Sequence, residues 1–232
     1  MQLFYAPDIE KTLELPFEEA AHALRVLRLK AGDELWLTDG KGSLLRAEIA
    51  AADNKHCMVN LLERKTPPLL WKGHLHLALA PTKNMDRMEW LAEKATEIGF
   101  DELTFLDCRY SERRVLKTER IEKILVSAVK QSLKAYKPQL NELTAFDKFV
   151  SRPYAGQKFI AHCHSGEKPL LKNLLSPDED ALVLIGPEGD FSEEEVRMAV
   201  SQGFQPVSLG TSRLRTETAA LVAVHLMNLA HT

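Results

Sequence analysis

The sequence predicts an α/β protein in which a small N-terminal β domain precedes a larger domain of alternating strands and helices. Short apolar segments cluster between residues 33 and 63, and strand-like and helix-like segments alternate from residue 74 onward. Between these regions residues 66–68 (TPP) interrupt the pattern, since proline lacks an amide donor and restricts its predecessor. We therefore expect a linker near residues 64–72, with a domain at 1–68 and another at 69–232.

The N-terminal region reads as three short strands with one helix before them. The strand segments are DELWLTDG (33–40), SLLRAEIA (43–50) and HCMVNLLE (56–63), and residues 39–42 form the first turn. Apolar residues at helical spacing predict a helix over residues 18–28. Its end carries Arg25 and Arg28, followed by Lys30, and these cations face either RNA or solvent.

The second region alternates strands and helices, which is the pattern of an α/β sheet. The predicted strands are HLHLALA (74–80), LTFLD (103–107), KFIAHC (158–163), ALVLIG (181–186) and PVSLG (206–210). The predicted helices cover residues 84–98, 117–135, 193–202 and 216–230.

Composition narrows the class of protein. Hydrophobic residues make up 45% and charged residues 27% of the 232 positions, which is typical of soluble globular proteins. The three cysteines, Cys57, Cys108 and Cys163, lie far apart without CxxC spacing, so neither a disulfide framework nor a zinc site is predicted. Because the N-terminal segment lacks a basic stretch followed by an apolar run, we expect a cytoplasmic protein without a membrane segment.

The net charge of −3 conceals a basic middle and an acidic end. Residues 109–137 carry nine Lys or Arg side chains against three Glu, with Tyr110 and Tyr136 interleaved. Such a run can follow a phosphate backbone while its aromatic rings stack on bases. A solvated helix face is the alternative.

The helix predicted near residues 84–98 separates its side chains into three sectors. One sector is a stripe of Lys83, Arg87, Trp90, Lys94 and Glu97. The core sector comprises Met88, Leu91, Ala92, Ala95 and Ile98, and the third comprises Glu89, Glu93 and Thr96. Three cations in one stripe favour an RNA contact as strongly as they favour an ordinary exposed face.

Two predicted strands end in glycine, and in a parallel sheet ligands bind beyond the carboxyl ends of strands. The first exit is GPEGDFS (186–192), where Ser192 and Glu195 form a capping box and Phe191 and Val196 have the spacing of a hydrophobic staple. The second exit is LGTSRLRTET (209–218). Each could be a tight turn into a capped helix, but two such exits together favour a site for one planar ligand.

Other motifs give little support to competing chemistry. The sequence has no GxGxxG, GxxxxGK[ST] or GxSxG, so dinucleotide-binding, P-loop and serine-hydrolase interpretations are disfavoured. His162 and His164 flank Cys163 at the end of a predicted strand, and alternation places the two histidines on one side. No metal site is predicted there.

Taken together, these segments resemble the RsmE-type 16S ribosomal RNA (uracil-N3)-methyltransferases of the SPOUT superfamily. The matching stretches are HALRVLRLKAGDELWLTDGKG (22–42), 83–99 ending in EKATEIG, Gln131-Ser132 with Pro138, LIGPEGDF (184–191) and LGTSRLRTETAAL (209–221). The resemblance covers essentially the full chain. It implies an N-terminal PUA-like RNA-binding β-barrel domain, and a C-terminal SPOUT α/β domain with a trefoil knot. It also implies S-adenosylmethionine as cofactor, 16S ribosomal RNA within the assembled small subunit as partner, and a homodimer without a metal.

The resemblance also implies which residues form the cofactor site, whereas the catalytic and RNA-binding residues are expected from their chemistry and charge. The cofactor would contact His162, Ile185, Gly186, Pro187, Glu188, Gly189, Leu209, Gly210, Ser212, Leu214, Arg215 and Thr216. For the chemical step, Arg215 would hold the uracil oxygens, and Glu217 would accept a proton or orient Arg215. The expected RNA contacts are Arg25, Arg28, Lys30, Lys83, Arg87, Lys94, Arg113 and Arg114.

This sequence departs from the family pattern at three positions. Asp190 stands where glycine would follow GPEG, Ser212 where arginine is usual, and Lys134 where arginine often follows the Gln-Ser pair. Two other functions stay open at this point: a SPOUT ribose 2'-O-methyltransferase, and a non-catalytic RNA-binding assembly factor. Binding of the cofactor would separate the last from both enzymes.

Overall fold

The structure, a computed structural model, describes residues 2–53 and 56–232 and divides the chain into two compact units. Unit 1 comprises Met1–Leu69 and Val126–Lys137. Unit 2 comprises Leu70–Leu125 and Pro138–Thr232.

Unit 1 is built on a four-stranded sheet in the order β1-β2-β3-β4, formed by β1 (Leu3–Tyr5), β2 (Glu34–Thr38), β3 (Leu44–Ala52) and β4 (Cys57–Lys65). The pairs β2/β3 and β3/β4 are antiparallel, and β1 runs parallel to β2. The β2–β3 turn is closed by Asp39, whose Oδ1 accepts from the amides of Lys41 at 2.8 Å and Ser43 at 2.9 Å. The three strands predicted from sequence are confirmed, and β1 was not foreseen.

Two short helices and a π-helical turn cover the apolar face of this sheet. They are α1 (Ile9–Thr12), α2 (Phe17–Ala21) and the π turn His22–Val26. The helix was expected to reach residue 28 but ends at Val26. Arg28 has a left-handed φ of 59° and cannot continue it. The core of unit 1 contains Phe4, Ile9, Leu37, Leu45 and Ile49.

A segment distant in sequence completes unit 1. Helix α4 (Glu119–Gln131) contributes its last turns, and Nζ of Lys130 lies 2.6 Å from Oε1 of Glu19. The amide of Gly42 donates to the carbonyl of Ala135 at 2.9 Å. The helix was expected to continue to Ala135, but Leu133 adopts a φ of 56° and ends it. Lys134, one of the departures from the family pattern, has a pKa lowered by burial.

Unit 2 is a six-stranded parallel sheet in the order β10-β8-β9-β5-β6-β7. Its strands are β5 (Leu75–Leu79), β6 (Glu102–Asp107), β7 (Gln139–Ala145), β8 (Gln157–Ala161), β9 (Ala181–Ile185) and β10 (Gln205–Val207). Strands β5 and β9 are buried along their whole length, as expected for central strands covered on both faces. Five of the six were predicted. The missed strand, β7, lies at the edge and mixes polar with apolar residues.

Helices cover both faces of this sheet. On one face α3 (Met85–Ile98) and α7 (Thr216–His231) pack with the alternate residues Leu75, Leu77 and Leu79 of β5. On the other face lie α5 (Phe146–Val150) and α6 (Glu193–Ser201), with Leu182 and Leu184 of β9. The predicted bounds of α3, α6 and α7 agree with the structure within two residues. Helix α5 was not predicted. Thr96, which lies outside the core sector in the helical projection, is nevertheless buried, and its hydroxyl is satisfied by donating to the carbonyl of Ala92 at 2.7 Å.

The capping box predicted at the start of α6 is present. Oγ of Ser192 accepts from the amide of Glu195 at 3.2 Å, and Oε2 of Glu195 accepts from the amide of Ser192 at 2.8 Å. Phe191 is fully buried and Val196 packs against the same cluster, as the staple requires. This helix start is therefore fixed by local sequence.

Within the described ranges, 2–53 and 56–232, no helix combines the length and apolar character needed to cross a membrane. Cys57 and Cys108 are buried free thiols, and Cys163 is an exposed one.

A buried histidine lies near the amino end of β5. His76 is 5% exposed, and its Nε2 lies 2.8 Å from the hydroxyl oxygen of Thr104. Burial, reinforced by the charges of His74 and Arg152, lowers the pKa of His76 to about 3. The folded protein therefore holds this ring neutral at pH values where an exposed histidine is protonated.

We predict that this histidine makes unit 2 sensitive to acid. In the unfolded chain His76 binds a proton near pH 6.5, so the unfolded state binds more protons than the folded state between pH 6.5 and about 3. The free energy of unfolding should thus fall as pH falls, by about 2 kcal/mol at pH 5 from this group alone. Urea unfolding at pH 7.5 and pH 5 should show a smaller pH dependence for His76→Gln. The control is His225→Gln, which replaces an exposed histidine. An equal pH dependence of wild type and His76→Gln would contradict the prediction.

Candidate active site

The strand order of unit 2 brings several strand exits to one edge of the sheet. Strand β8 pairs with β10 on one side and β9 on the other, and β9 pairs with β5. Because all these strands are parallel, the loops after residues 79, 161, 185 and 207 begin side by side. The loop after β8 starts at His162, so His162 and Cys163 are loop residues rather than the end of the strand predicted at 158–163.

Acidic side chains that follow β9 connect this exit to the neighbouring ones. Oε1 of Glu188 accepts from the amide of Lys83 after β5 at 2.9 Å, and Oδ2 of Asp190 accepts from the amide of Cys163 after β8 at 2.7 Å. Oε1 of Glu195 accepts from the amide of Arg109 after β6 at 2.8 Å. Hydrogen bonds from an amide to a charged carboxylate are among the stronger ones in proteins. The β9 exit is therefore the point to which three other loops are attached.

Asp190 takes a backbone conformation that explains why glycine is usual at its position. Its φ is 67°, in the left-handed region that aspartate tolerates better than most residues. Its Oδ1 accepts from the amide of Phe191 at 2.8 Å while Oδ2 binds Cys163. The departure thus preserves the shape of the turn and adds a bridge between two strand exits.

Two adjoining cavities lie at these exits. One has a volume of about 720 Å³ and is bounded by the loops after β8 and β10. The other has a volume of about 590 Å³ and is bounded by the loop after β9 and the start of α7. Both volumes fall within the range typical of small-molecule sites. Ala161, Cys163, Ile185, Arg213, Leu214 and Ala219 line both cavities.

Every residue expected to contact the cofactor lines one of the two cavities. His162, Leu209, Gly210 and Ser212 line the larger one. Gly186, Pro187, Glu188, Gly189, Arg215 and Thr216 line the smaller one, and Ile185 and Leu214 line both. Their roles as cofactor ligands stay a prediction.

The two exit glycines serve different purposes. A Cβ on Gly186 would meet the backbone nitrogen of Phe191 at 3.0 Å, so its absence lets the loop fold back on itself. Gly210 has a φ of 136°, which L-residues rarely adopt, and a Cβ there would meet no atom within 4 Å. Gly210 therefore exposes bare backbone to the larger cavity.

His162 brings an unusual acceptor or donor to the larger cavity. Its Nδ1 is buried and has no hydrogen-bond partner among the described residues. Burial lowers the pKa of this ring, so the neutral imidazole is favoured. Its ring centre lies 5.3 Å from that of His164. Residues 2–53 and 56–232 contain no group of three or more His, Cys, Asp or Glu side chains suited to a metal ion.

The two residues predicted for the chemical step have different surroundings. Arg215 is exposed and lines the smaller cavity. The Glu217 side chain is only 9% exposed, and its Oε1 lies 3.6 Å from Nε of Arg87. Its Oε2 is buried without a hydrogen-bond partner in the described chain. The cation next to Glu217 is therefore Arg87 of α3, and the expected pairing of Glu217 with Arg215 is not observed.

The remaining cations of unit 2 that were expected to bind RNA all have partners within the unit. Lys83 pairs with Glu112 at 2.9 Å, Lys94 with Glu93 at 2.7 Å, and Arg114 with Asp107 at 2.9 Å. A nitrogen of Arg113 donates to the carbonyl of Lys83 at 2.6 Å. Exposed ion pairs are weak, so such side chains can exchange partners, and their RNA contacts stay a prediction.

The cations expected to bind RNA in unit 1 are accessible. Arg25, Arg28 and Lys30 are all exposed, and Val26 next to them is 65% exposed. The cluster lies at the end of the π-helical turn.

Several residues of the cavities were not singled out from sequence. They include Cys163, Lys168, Ser208, Thr211 and Arg213. Thr211 and Arg213 lie inside the predicted second exit, so the loop was found but not the individual side chains. Lys168 donates to the carbonyl of His164 at 2.5 Å, and no sequence signal marked it.

Comparison with known proteins identifies both units. A family model described as the RNA methyltransferase domain matches residues 70–228, and one described as the RNA methyltransferase PUA domain matches residues 15–62. The ribosomal RNA small subunit methyltransferase E of Synechocystis sp. is 30% identical over 98% of this chain and 77% of its own length.

Solved structures agree with these matches. A probable rRNA-methyltransferase from Porphyromonas gingivalis is 46% identical and superimposes with a TM-score of 0.95. The match covers 100% of this chain and 98% of the Porphyromonas gingivalis chain. The ribosomal RNA small subunit methyltransferase E of Neisseria gonorrhoeae, bound to S-adenosyl methionine, is 26% identical and superimposes with a TM-score of 0.85. The match covers 97% of this chain and 95% of the Neisseria gonorrhoeae chain. Both domain types are those of RNA methyltransferases. The chain belongs to the ribosomal RNA small subunit methyltransferase E family, which confirms the resemblance found in the sequence.

Two substitutions at Asp190 distinguish the contribution of its left-handed backbone from that of its hydrogen bond to the amide of Cys163. Asp190→Gly keeps the left-handed turn but removes the acceptor for Cys163, and should cost about 1 kcal/mol in the free energy of unfolding. Asp190→Ala also places an ordinary side chain at this φ and should cost about 1 kcal/mol more. Urea unfolding followed by tryptophan fluorescence measures both. Asp178, an exposed loop aspartate, provides the control Asp178→Ala. Equal losses for the two Asp190 variants would show that the turn imposes no conformational cost.

Proposed function

We propose that this protein transfers the methyl group of S-adenosylmethionine to N3 of a uridine in the 16S ribosomal RNA of the small ribosomal subunit. The observation that carries the proposal is the pair of adjoining cavities at the strand exits, with Glu217, whose side chain is largely buried, in the lining of one of them. The relative from Neisseria gonorrhoeae is bound to S-adenosyl methionine.

The residues around the larger cavity suit such a cofactor. Ile185, Leu209 and Leu214 offer apolar contacts for a flat ring. The bare backbone at Gly210 offers hydrogen-bonding groups, and the ring of His162 lies in the same lining. Bound there, the cofactor supplies a methyl group on a sulfonium, whose leaving group is already activated. The protein therefore needs to position the reactants more than it needs to activate the donor.

The smaller cavity suits the uracil base. N3 carries an imide proton and is blocked when the base is paired, so the base must be exposed in the site. Arg215 lines this cavity and is positioned to stabilise negative charge on the uracil oxygens. The carboxylate of Glu217 accepts the N3 proton, which leaves the nitrogen electron pair free to bond to the methyl carbon of the sulfonium.

We further propose the finer features of the fold that the family suggests: a SPOUT domain at 69–232 with a trefoil knot, and a PUA-like RNA-binding domain at 1–68. The strand order supports the knot, because β9 inserts between β5 and β8, and α7 then packs against both β5 and β9. The chain after β10 thus returns past the loops that follow β8 and β9.

We propose a homodimer that acts on the assembled small subunit in the cytoplasm. Large apolar side chains on α3 and α7 support an interface, since Trp90 is 43% exposed and Leu229 is 63% exposed. Arg25, Arg28 and Lys30 in one unit and Lys83 and Lys94 in the other would each contribute phosphate contacts.

The test of the function uses 30S subunits from a strain that lacks this gene. The purified protein and S-adenosylmethionine are added, and the nucleosides of the digested RNA are analysed by mass spectrometry. We expect 3-methyluridine, at a higher yield than from protein-free 16S RNA. A 2'-O-methylated nucleoside would instead identify a ribose methyltransferase, and absence of cofactor binding would identify an assembly factor.

One prediction from the proposed function concerns the cofactor pocket. Gly210→Val should lower the affinity for S-adenosylmethionine about 10- to 100-fold, because a side chain at a φ of 136° strains the loop and projects into the cavity. Calorimetry measures the affinity. Gly32 has a φ of 90° with no atom within 4 Å of its Cβ position, so Gly32→Val in unit 1 imposes a similar strain away from the cavity. Undiminished affinity in Gly210→Val would exclude the predicted contact.

Another prediction from the proposed function concerns the chemical step. Arg215→Ala should slow single-turnover methylation a few hundredfold, since loss of one well-placed donor costs about 3 to 4 kcal/mol. The deficit of Glu217→Gln should shrink as pH rises, because hydroxide and ionised uracil then replace the missing base. Rates are measured across the alkaline range at saturating cofactor and RNA. A deficit that stays constant with pH would mean that Glu217 does not accept the proton, and near wild-type rates for both variants would exclude both roles.

A further inference from the structure

An ion pair between the partly exposed Arg87 and the buried Glu217 links α3 to the smaller cavity. Residues on helices about 130 positions apart in sequence meet here, with Nε of Arg87 3.6 Å from Oε1 of Glu217. Both side chains line the cavity. Burying a carboxylate is costly unless a nearby charge or hydrogen bond compensates. Arg87 supplies that charge at one oxygen only.

Arg87 differs from the other cations of its stripe in the kind of partner it has. Lys83 pairs with Glu112, whose side chain is 53% exposed, and Lys94 pairs with Glu93, which is 46% exposed. The Glu217 side chain is 9% exposed. The exposed pairs can release their lysines to another anion at little cost, whereas release of Arg87 would leave a buried charge unpaired.

We propose that Arg87 is a positioning residue of the methylation reaction rather than a contact to the RNA backbone. It holds Oε1 of Glu217 and thereby sets the position of the carboxylate that accepts the N3 proton of the base in the cavity. This inference rests on the proposed function, and it moves Arg87 from the RNA stripe to the site of the chemical step.

The test separates an effect on rate from an effect on RNA binding. Arg87→Met should lower the single-turnover rate at saturating RNA and cofactor about 10- to 100-fold, as expected for a misplaced reacting group. The RNA affinity and its salt dependence should stay at the wild-type values. Arg87→Lys should recover part of the rate, because a cation again reaches Glu217. The control is Arg197→Met, which removes an exposed arginine that pairs with Glu193 at 3.5 Å on α6.

A double-mutant cycle tests whether Arg87 acts through Glu217. In the Glu217→Gln background, Arg87→Met should slow the reaction little further. The same cycle in urea unfolding, without cofactor or RNA, should show shifts in midpoint that do not add, because the two side chains interact in the free protein. This second readout holds even if the substrate proves to be different.

Three outcomes would overturn the inference. A weaker RNA affinity with a flatter salt dependence, and a normal rate at saturating RNA, would make Arg87 a phosphate contact. Rate losses that multiply in the double variant would make the two residues independent. Additive midpoint shifts would show that the pair is absent in solution. Failure of the proposed function would appear separately, as absence of 3-methyluridine with the wild-type protein. If Arg87→Met does not fold, Arg87→Gln, which also removes the charge, provides the same comparisons.

Discussion

The organisation of the site depends on hydrogen bonds from backbone amides to the carboxylates that follow β9. Glu188, Asp190 and Glu195 bind the amides of Lys83, Cys163 and Arg109, which belong to the exits of β5, β8 and β6. Parallel pairing brings the loops to one edge of the sheet, but it does not fix their shapes. The carboxylates do so, because each one holds a neighbouring loop by its backbone rather than by a flexible side chain. The positions of the loops after β5, β6, β8 and β9 therefore depend on one another, and the loops after β8 and β9 each bound one of the cavities.

The sequence predicted what local patterns can encode. The Ser192 and Glu195 capping box and the two exit glycines lie within ten residues of the elements they define, and the structure contains them as expected. The strand β7 was missed because an edge strand needs no apolar alternation, and the end of α4 was placed too late because nothing local marks the left-handed Leu133. Arg87 was assigned to a surface stripe from helical projection alone. Its partner Glu217 is far away in sequence, so only the packing of α3 against α7 reveals the pair.

Unit 1 shows a similar limit for domain boundaries. Composition and the prolines at 67 and 68 mark a break in the chain, yet Val126–Lys137 groups with the N-terminal strands. The reason lies in the β2–β3 turn. A Cβ on Gly42 would meet the ring of Tyr136 at 2.8 Å, and a Cβ on Gly40 would meet Tyr5 at 2.7 Å. The glycines of this turn therefore permit close approach of aromatic rings, and one of these rings comes from the distant segment. No pattern in the turn itself identifies which segment supplies it.

The arginines of the second exit bring positive charge to the loop after β10. Ser212 stands where the family usually has arginine, which by itself would remove a positive charge from the loop. Arg213, however, lies next to it and lines both cavities. In the part of the chain that the structure describes, the side chains of Arg213 and Arg215 have no ion-pair or hydrogen-bond partner, unlike those of Arg87, Arg113 and Arg114 in the same unit. Cations without internal partners need not break an existing bond to bind an anion, so their affinity for a phosphate or a polarised oxygen is not reduced by competition. The charge lost at one position is thus present at the next, in the loop that the two cavities share.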